Sequence, residues 1–261
     1  MNRKIGVLDS GVGGLSVMVG LQELLPNEDI IYFGDSKNCP YGNKGADEIF
    51  HLTMEILRFM EQNDVKLVAI ACNTISTLIE RFKSEFNFPI IDIISPTVEY
   101  IEKIKVDNLA IFGTEFTVKS NVYQRLLKDR NNEIRIIPEY SKTLATLVDC
   151  GDFNSDLVKD TIKTHMDNII CAGNTKNIVM ACTHFPIVQD IFLEVAPELN
   201  YIDPGYEQAK AVKDYLHNNG LLNKKEKGTL NIYTSGEIDR YEKVVEKLNL
   251  KSLGGIYKIV L

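Results

Sequence analysis

Cys72 and Cys182 stand in matching settings. Cys72 closes the apolar run Val68-Ala69-Ile70-Ala71 and leads into Asn73-Thr74, and Cys182 closes Ile178-Val179-Met180-Ala181 and leads into Thr183-His184. Each run reads as a buried strand followed by the start of a helix, which puts each thiol at the mouth of an open α/β sheet, where ligands bind. Two thiols flanking one substrate suit a reaction that removes a proton from one face of a carbon and returns one to the other. A thiol at a helix N-terminus has its pKa drawn down from about 8.5, so thiolate is expected near neutrality. A single free cysteine is as readily a small buried hydrophobe. The matched placement is what points to chemistry.

Asn73, Thr74 and Thr183 add donors suited to gripping a carboxylate, while His184 beside Cys182 and Asp9 from a neighbouring strand are placed to tune thiols or relay protons. Asp9-Ser10-Gly11-Val12-Gly13-Gly14-Leu15 follows the first strand, and the amides of such a loop can hold a carboxylate or phosphate. The dinucleotide fingerprint fails there, because Ser16 stands where its third glycine belongs, and no Lys-Ser/Thr follows to make a nucleotide loop. Asp35-Ser36-Lys37-Asn38-Cys39-Pro40-Tyr41-Gly42 follows the second strand. Its Pro-Tyr-Gly fixes and then frees the backbone, as a rigid pocket wall with one phenol would need, or as a common turn does. In Gly113-Thr114-Glu115-Phe116-Thr117 the hydroxyls are candidate anion donors, with helix capping by Thr117 as the plain alternative. Cys39 is placed on the pocket wall; Cys150 and Cys171 read as structural.

The chain has 261 residues, of which 44% are hydrophobic, enough for a real core in two lobes. A net charge of -7 argues against nucleic-acid binding, and the short Lys224-Lys225-Glu226-Lys227 patch reads as solvated loop. Met1-Asn2-Arg3-Lys4 enters a strand with no apolar signal region, and no apolar run approaches a membrane span, so a cytoplasmic location is expected. Five cysteines without a Cys-x-x-Cys pair favour free thiols, and four histidines at no helical ligand spacing argue against zinc.

Short apolar runs alternate with helical segments from end to end, which defines an α/β protein of mostly parallel sheets. Strands are expected at 5–8, 30–33, 67–71, 90–94, 109–112, 134–137, 178–181, 201–202 and 230–233. Helices are expected at 47–62, 76–86, 119–130, 154–172, 206–217 and 239–248. The Asp9 and Gly113 strand ends, like Cys72 and Cys182, recur at nearly equal offsets, as in two similarly wound lobes with the site between them. Crossings are expected at the turn-prone Ser95-Pro96-Thr97 and Asp203-Pro204-Gly205. That divides the chain into a discontinuous first lobe, residues 1–96 plus 206–261, and a second lobe, residues 97–205.

Taken in order, Asp9 to Leu15, Tyr32-Phe33-Gly34-Asp35, Pro40-Tyr41-Gly42, Ala71-Cys72-Asn73-Thr74, Gly113-Thr114 and Cys182-Thr183-His184-Phe185-Pro186 resemble the glutamate racemases of the aspartate/glutamate racemase superfamily. The resemblance implies a cofactor-independent racemase that interconverts L- and D-glutamate, acts as a homodimer and supplies D-glutamate for peptidoglycan. It assigns Cys72 to the α-proton of D-glutamate and Cys182 to that of L-glutamate, with Asp9 and His184 as their respective assistants. Ser10, Tyr41, Gly42, Asn73, Thr74, Thr117, Thr183, His184 and Asp9 match substrate-binding positions, and Asp35 and Pro40 match supporting ones. Where the family commonly reads Leu-Val-Glu, this chain has Leu147-Val148-Asp149, so Asp149 takes a supporting role with a shorter side chain. Ahead of Pro-Tyr-Gly, Cys39 stands where the family usually has an apolar residue, and the two differences leave aspartate, or acidic amino acids in general, as alternative substrates. A hydrolase or lyase using one cysteine with His184 as base is the rival from another class, and a binding protein on a racemase scaffold is the third.

Overall fold

A computed structural model describes residues 3–173 and 175–261; Met1 and Asn2, part of the expected strand entry, lie outside the described residues. The strands are β1 (Lys4–Asp9), β2 (Ile30–Gly34), β3 (Val65–Ile70), β4 (Ile90–Asp92), β5 (Asn108–Gly113), β6 (Arg135–Tyr140), β7 (Asn177–Ala181), β8 (Asn200–Ile202), β9 (Leu230–Thr234) and β10 (Leu253–Lys258). They form a six-stranded sheet of order β10-β9-β2-β1-β3-β4 and a four-stranded sheet of order β6-β5-β7-β8. Every pairing is parallel. The central strands β1, β2, β3 and β7 are buried along almost their whole length, which is why they read as continuous apolar runs.

The helices are α1 (Leu15–Leu24), α2 (Ala46–Gln62), α3 (Asn73–Ser76), α4 (Ile94–Ile104), α5 (Glu115–Lys119), α6 (Val122–Arg130), α7 (Leu144–Asp149), α8 (Asp156–Gly173), α9 (Gln189–Val195), α10 (Pro204–Asn218) and α11 (Ile238–Lys247). Both expected crossings are helix starts rather than turns. Asp92 caps α4 by accepting from the Ile94 and Ser95 amides, each at 2.8 Å, and Pro96 sits in the first turn, where its missing N–H costs nothing. Asp203 caps α10 in the same way with Pro204 at the first helical position. The chain leaves the first sheet through α4 and returns through α10. These two helices pack on each other, and α10 also packs on α1.

Three expectations are corrected. The helix expected at 76–86 stops at Ser76 and resumes only as a 3-10 turn over Ile79–Arg81. The Ser76 and Thr77 hydroxyls bond back to the carbonyls of Ile70 and Thr74, which competes with a continuing helix. The helix expected at 119–130 is split into α5 and α6, because Asn121 takes a left-handed conformation (φ 58°) and the Ser120 hydroxyl accepts from the Val122 amide. Finally, β10 was not expected: its Leu253-Gly254-Gly255 start lacks a strand pattern, and the strand survives because it lies at an exposed sheet edge.

Candidate active site

The carboxyl ends of β1, β2 and β3 in one sheet face those of β5 and β7 in the other, and the candidate residues sit on the segments that follow them. Ser10, Pro40, Tyr41, Gly42, Cys72, Asn73, Thr74, Thr114, Ala145, Cys182, Thr183 and His184 enclose one cleft. Its space is about 280 Å³, part of it open to solvent. That is below the roughly 300–1,000 Å³ of ligand pockets, so seating an amino acid calls for some opening of its walls.

Cys72 is buried at the start of α3, with the Ser10 hydroxyl 3.5 Å from its sulfur. Burial pushes the Cys72 thiol up to about 12, and the negative charge of Asp9 pushes the same way, against hydrogen bonds from the Ile75 amide and Ser10. The expected lowering by a helix end is therefore overturned in this closed state. A helix of four residues carries too few aligned peptide dipoles to offset desolvation.

Cys182 has different company. Its sulfur lies 3.7 Å from His184 Nδ1, whose Nε2 lies 3.1 Å from Asp149 Oδ1. The Val12 amide donates to the same Asp149 oxygen at 3.2 Å, and Arg240 donates to Asp149 Oδ2 at 3.2 Å. Burial works against charge on His184, but bonds to Asp149, Cys182 and Cys39 outweigh it and hold the imidazole well above its ordinary pKa. Burial likewise opposes ionisation of Asp149, yet the His184 bond and charge and the Val12 amide leave its pKa below the usual carboxylate value.

Asp9 makes no hydrogen bond to Cys72 among the described residues. Its carboxylate accepts from the Gly11 amide (3.0 Å) and from the Thr183 hydroxyl (3.0 Å), the latter across the cleft. Burial raises Asp9 to about 6, against the pull of His184 and these two bonds. The loop amides read as anion donors thus serve the protein's own carboxylates, Asp9 and Asp149. The glycines serve close approach: a Cβ on Gly13 would stand 2.5 Å from both His184 Nδ1 and Thr183 Oγ1.

The other candidates divide into cleft wall and support. Asn73 accepts from the Tyr123 hydroxyl at 2.7 Å, and its buried Nδ2, without a partner among the described residues, is able to donate to a ligand. Thr74, Thr114 and Thr117 form a triangle of hydroxyls across the lobes, with sides of 3.0, 3.2 and 2.9 Å. Thr114 borders the cleft and caps α5, so the cap expected at Thr117 falls to Thr114, and the Thr117 hydroxyl lies just behind it, bonded to Thr74 and Thr114. Tyr41 borders the cleft, but its hydroxyl is donated to Asp35 at 2.6 Å. Asp35 also accepts from Asn38 and Ser235, so it braces the Pro40-Tyr41-Gly42 wall from behind. Gly42 admits the close approach of Thr114, whose Cβ would be 2.7 Å from an added methyl.

Thr114 is one of the hydroxyls expected as an anion donor, while Tyr123, Ala145 and Arg240 were missed. Tyr123 and Arg240 reach the site only through tertiary packing. Cys39 Sγ, an Asp149 oxygen and a His184 nitrogen lie within 4.8 Å of one another, a trio able to offer three metal ligands. The Arg240 guanidinium and Val12 amide already satisfy that carboxylate, and burial pushes Cys39 up to about 12. The trio works as a hydrogen-bonded network.

Two parallel α/β lobes with a thiol from each at a shared cleft define a racemase-type architecture. The chain belongs to the Asp/Glu/hydantoin racemase family, whose sequence pattern matches residues 5–212. It is 34% identical to the glutamate racemase of Thermoanaerobacter pseudethanolicus over 249 residues, 95% of this chain and 93% of that protein. The glutamate racemase of Fusobacterium nucleatum is 34% identical over 261 residues, 98% of this chain and 97% of its own. Among solved structures, the Francisella tularensis glutamate racemase in complex with D-glutamate superposes with a TM-score of 0.89 at 27% identity, covering 99% of this chain and 98% of that one.

Proposed function

We propose that this protein is a cofactor-independent glutamate racemase in which Cys72 and Cys182 work on opposite faces of the α-carbon. The observation that carries the reading is the pair of buried thiols at the carboxyl ends of β3 and β7, bordering one closed cleft. The Cys182 thiolate takes the α-proton of L-glutamate while the Cys72 thiol delivers a proton to the other face; the roles exchange for D-glutamate. His184 supplies the positive charge beside Cys182. Asp9 tunes the Cys72 side through its charge, and Thr183 ties it to the other lobe. Ser10, Asn73, Thr74, Thr114 and Thr183 offer donors for the carboxylates of the substrate, and closure removes water from a carbanionic transition state. Asp149 and Asp35 support the site from outside it. The family resemblance further implies a cytoplasmic homodimer supplying D-glutamate for peptidoglycan. No helix among the described residues is long and apolar enough to cross a membrane.

One observation favours a second reading. Cys182, His184 and Asp149 line up as a nucleophile, base and orienting carboxylate would in a thiol hydrolase. That reading leaves Cys72 without a task. Chiral chromatography on a panel of L- and D-amino acids separates the two. Glutamate is expected to racemise, with Cys72→Ser and Cys182→Ser each slowing turnover on the order of 10³-fold. A covalent adduct on Cys182 by mass spectrometry, with Cys72→Ser fully active, would establish the hydrolase instead. Equal turnover of aspartate would widen the substrate class and leave the two-thiol mechanism standing.

A further inference from the structure

Helix α11 belongs to the sheet that carries Cys72, yet three basic side chains at helical spacing on it, Arg240, Lys243 and Lys247, reach toward the other lobe. Arg240 donates to Asp149, Lys243 lies over Gly151, within 3.7 Å of an added methyl, and Lys247 pairs with Asp190 at 2.6 Å. The pairs are unequal. Lys247 and Asp190 are exposed, and such a pair contributes little. Asp149 is nearly buried, with its side chain 5% accessible, and it ends α7, where the helix dipole disfavours a negative charge. A carboxylate so placed needs cationic partners. His184 is one, and Arg240 is the other.

Arg240 and His184 divide the Asp149 carboxylate between them, Oδ2 to the guanidinium and Oδ1 to the imidazole and the Val12 amide. That fixes the rotation of the carboxylate, and through it the direction in which His184 Nδ1 faces Cys182. We infer that Arg240 is a positioning residue for the Cys182 half of the reaction, set in place across the cleft by α11 when the lobes close. The inference rests on the racemase reading and adds to it a residue that never touches substrate. The contact is a single hydrogen bond, so a lysine ammonium can replace it in part.

The test compares Arg240→Gln, Arg240→Lys and Lys247→Ala in the full-length protein, with thermal melting to confirm folding. Enantiomers are equal in energy, so kcat/KM must remain equal for the two directions in every variant. A one-sided effect shows instead in how the α-deuterium isotope effect divides between L- and D-glutamate. Arg240→Gln is expected to lower kcat about tenfold, to raise the isotope effect with L-glutamate, and to lower it with D-glutamate. Arg240→Lys should recover most of the loss, and Lys247→Ala should match the wild type. Asp149→Asn combined with Arg240→Gln should be no slower than Asp149→Asn alone. Wild-type kinetics for Arg240→Gln, or a loss with unchanged isotope effects that adds fully to that of Asp149→Asn, would overturn the assignment. If the wild-type protein racemises no amino acid, the reading beneath it falls instead.

Discussion

The two thiols occupy equivalent ends of two sheets and keep unlike company. Cys72 packs in an apolar cluster with Tyr41, Ile75 and Phe82, meets the Ser10 hydroxyl and the Ile75 amide but no charged side chain in direct contact, and is pushed up to about 12. Cys182 heads a connected line of His184, Asp149 and Arg240, each member hydrogen-bonded to the next. One side is tuned by burial and by the remote charge of Asp9, the other by direct contact with an imidazole. Approximate symmetry of the lobes thus places the thiols, while the neighbours that set their chemistry differ. Asp9 and Thr183 join the two sides, since the Cys182 segment donates to the carboxylate that acts on Cys72.

Disturbing the shared boundary should break that difference most severely. Gly13→Ala would drive a methyl to 2.5 Å from His184 Nδ1 and Thr183 Oγ1, so the Cys182 side must shift while Cys72 keeps its surroundings. Turnover should fall about a hundredfold, the scale expected for an ångström of misplacement, with little change in the Ellman reactivity of Cys72. A smaller effect, on stability, isolates the Cys72 side. Because Asp9 is raised to about 6, its protonated form is favoured in the fold, so the wild type loses stability as pH rises from about 4 to about 6. Asp9→Asn removes that loss, roughly 3 kcal/mol, and its urea midpoint should exceed that of the wild type at pH 7.5 but not at pH 4. His184, raised well above its ordinary value, adds stability that is full below pH 6.5 and is lost only as pH climbs through its folded pKa, outside that window.

The strand framework was legible because buried parallel strands write themselves as unbroken apolar runs, and Cys72 and Cys182 could be placed from where those runs end. The glycines of Gly11-Val12-Gly13-Gly14 were also legible as sites of close approach, although what approaches is His184, Thr183 and Asp149 rather than a ligand phosphate. Helix limits were less so. Ser95-Pro96-Thr97 and Asp203-Pro204-Gly205 carry turn composition but open helices, because proline suits a first turn as well as a loop. Arg240 had no local signal: it stands 91 positions from Asp149, and only the packing of α11 brings the two together. Nor could sequence tell that Asp9 bonds Thr183 instead of Cys72, or that burial would outweigh a four-residue helix at the thiol.

The central claim is that two groups, one on each face, share the work. Following L-glutamate in deuterium oxide during the first few per cent of conversion tests it most directly. The account predicts D-glutamate carrying solvent deuterium at the α-carbon, while the remaining L-glutamate stays protiated. Protium retained in the D-glutamate, or deuterium appearing equally in recovered L-glutamate and in product, would mean that one group serves both faces and would contradict it.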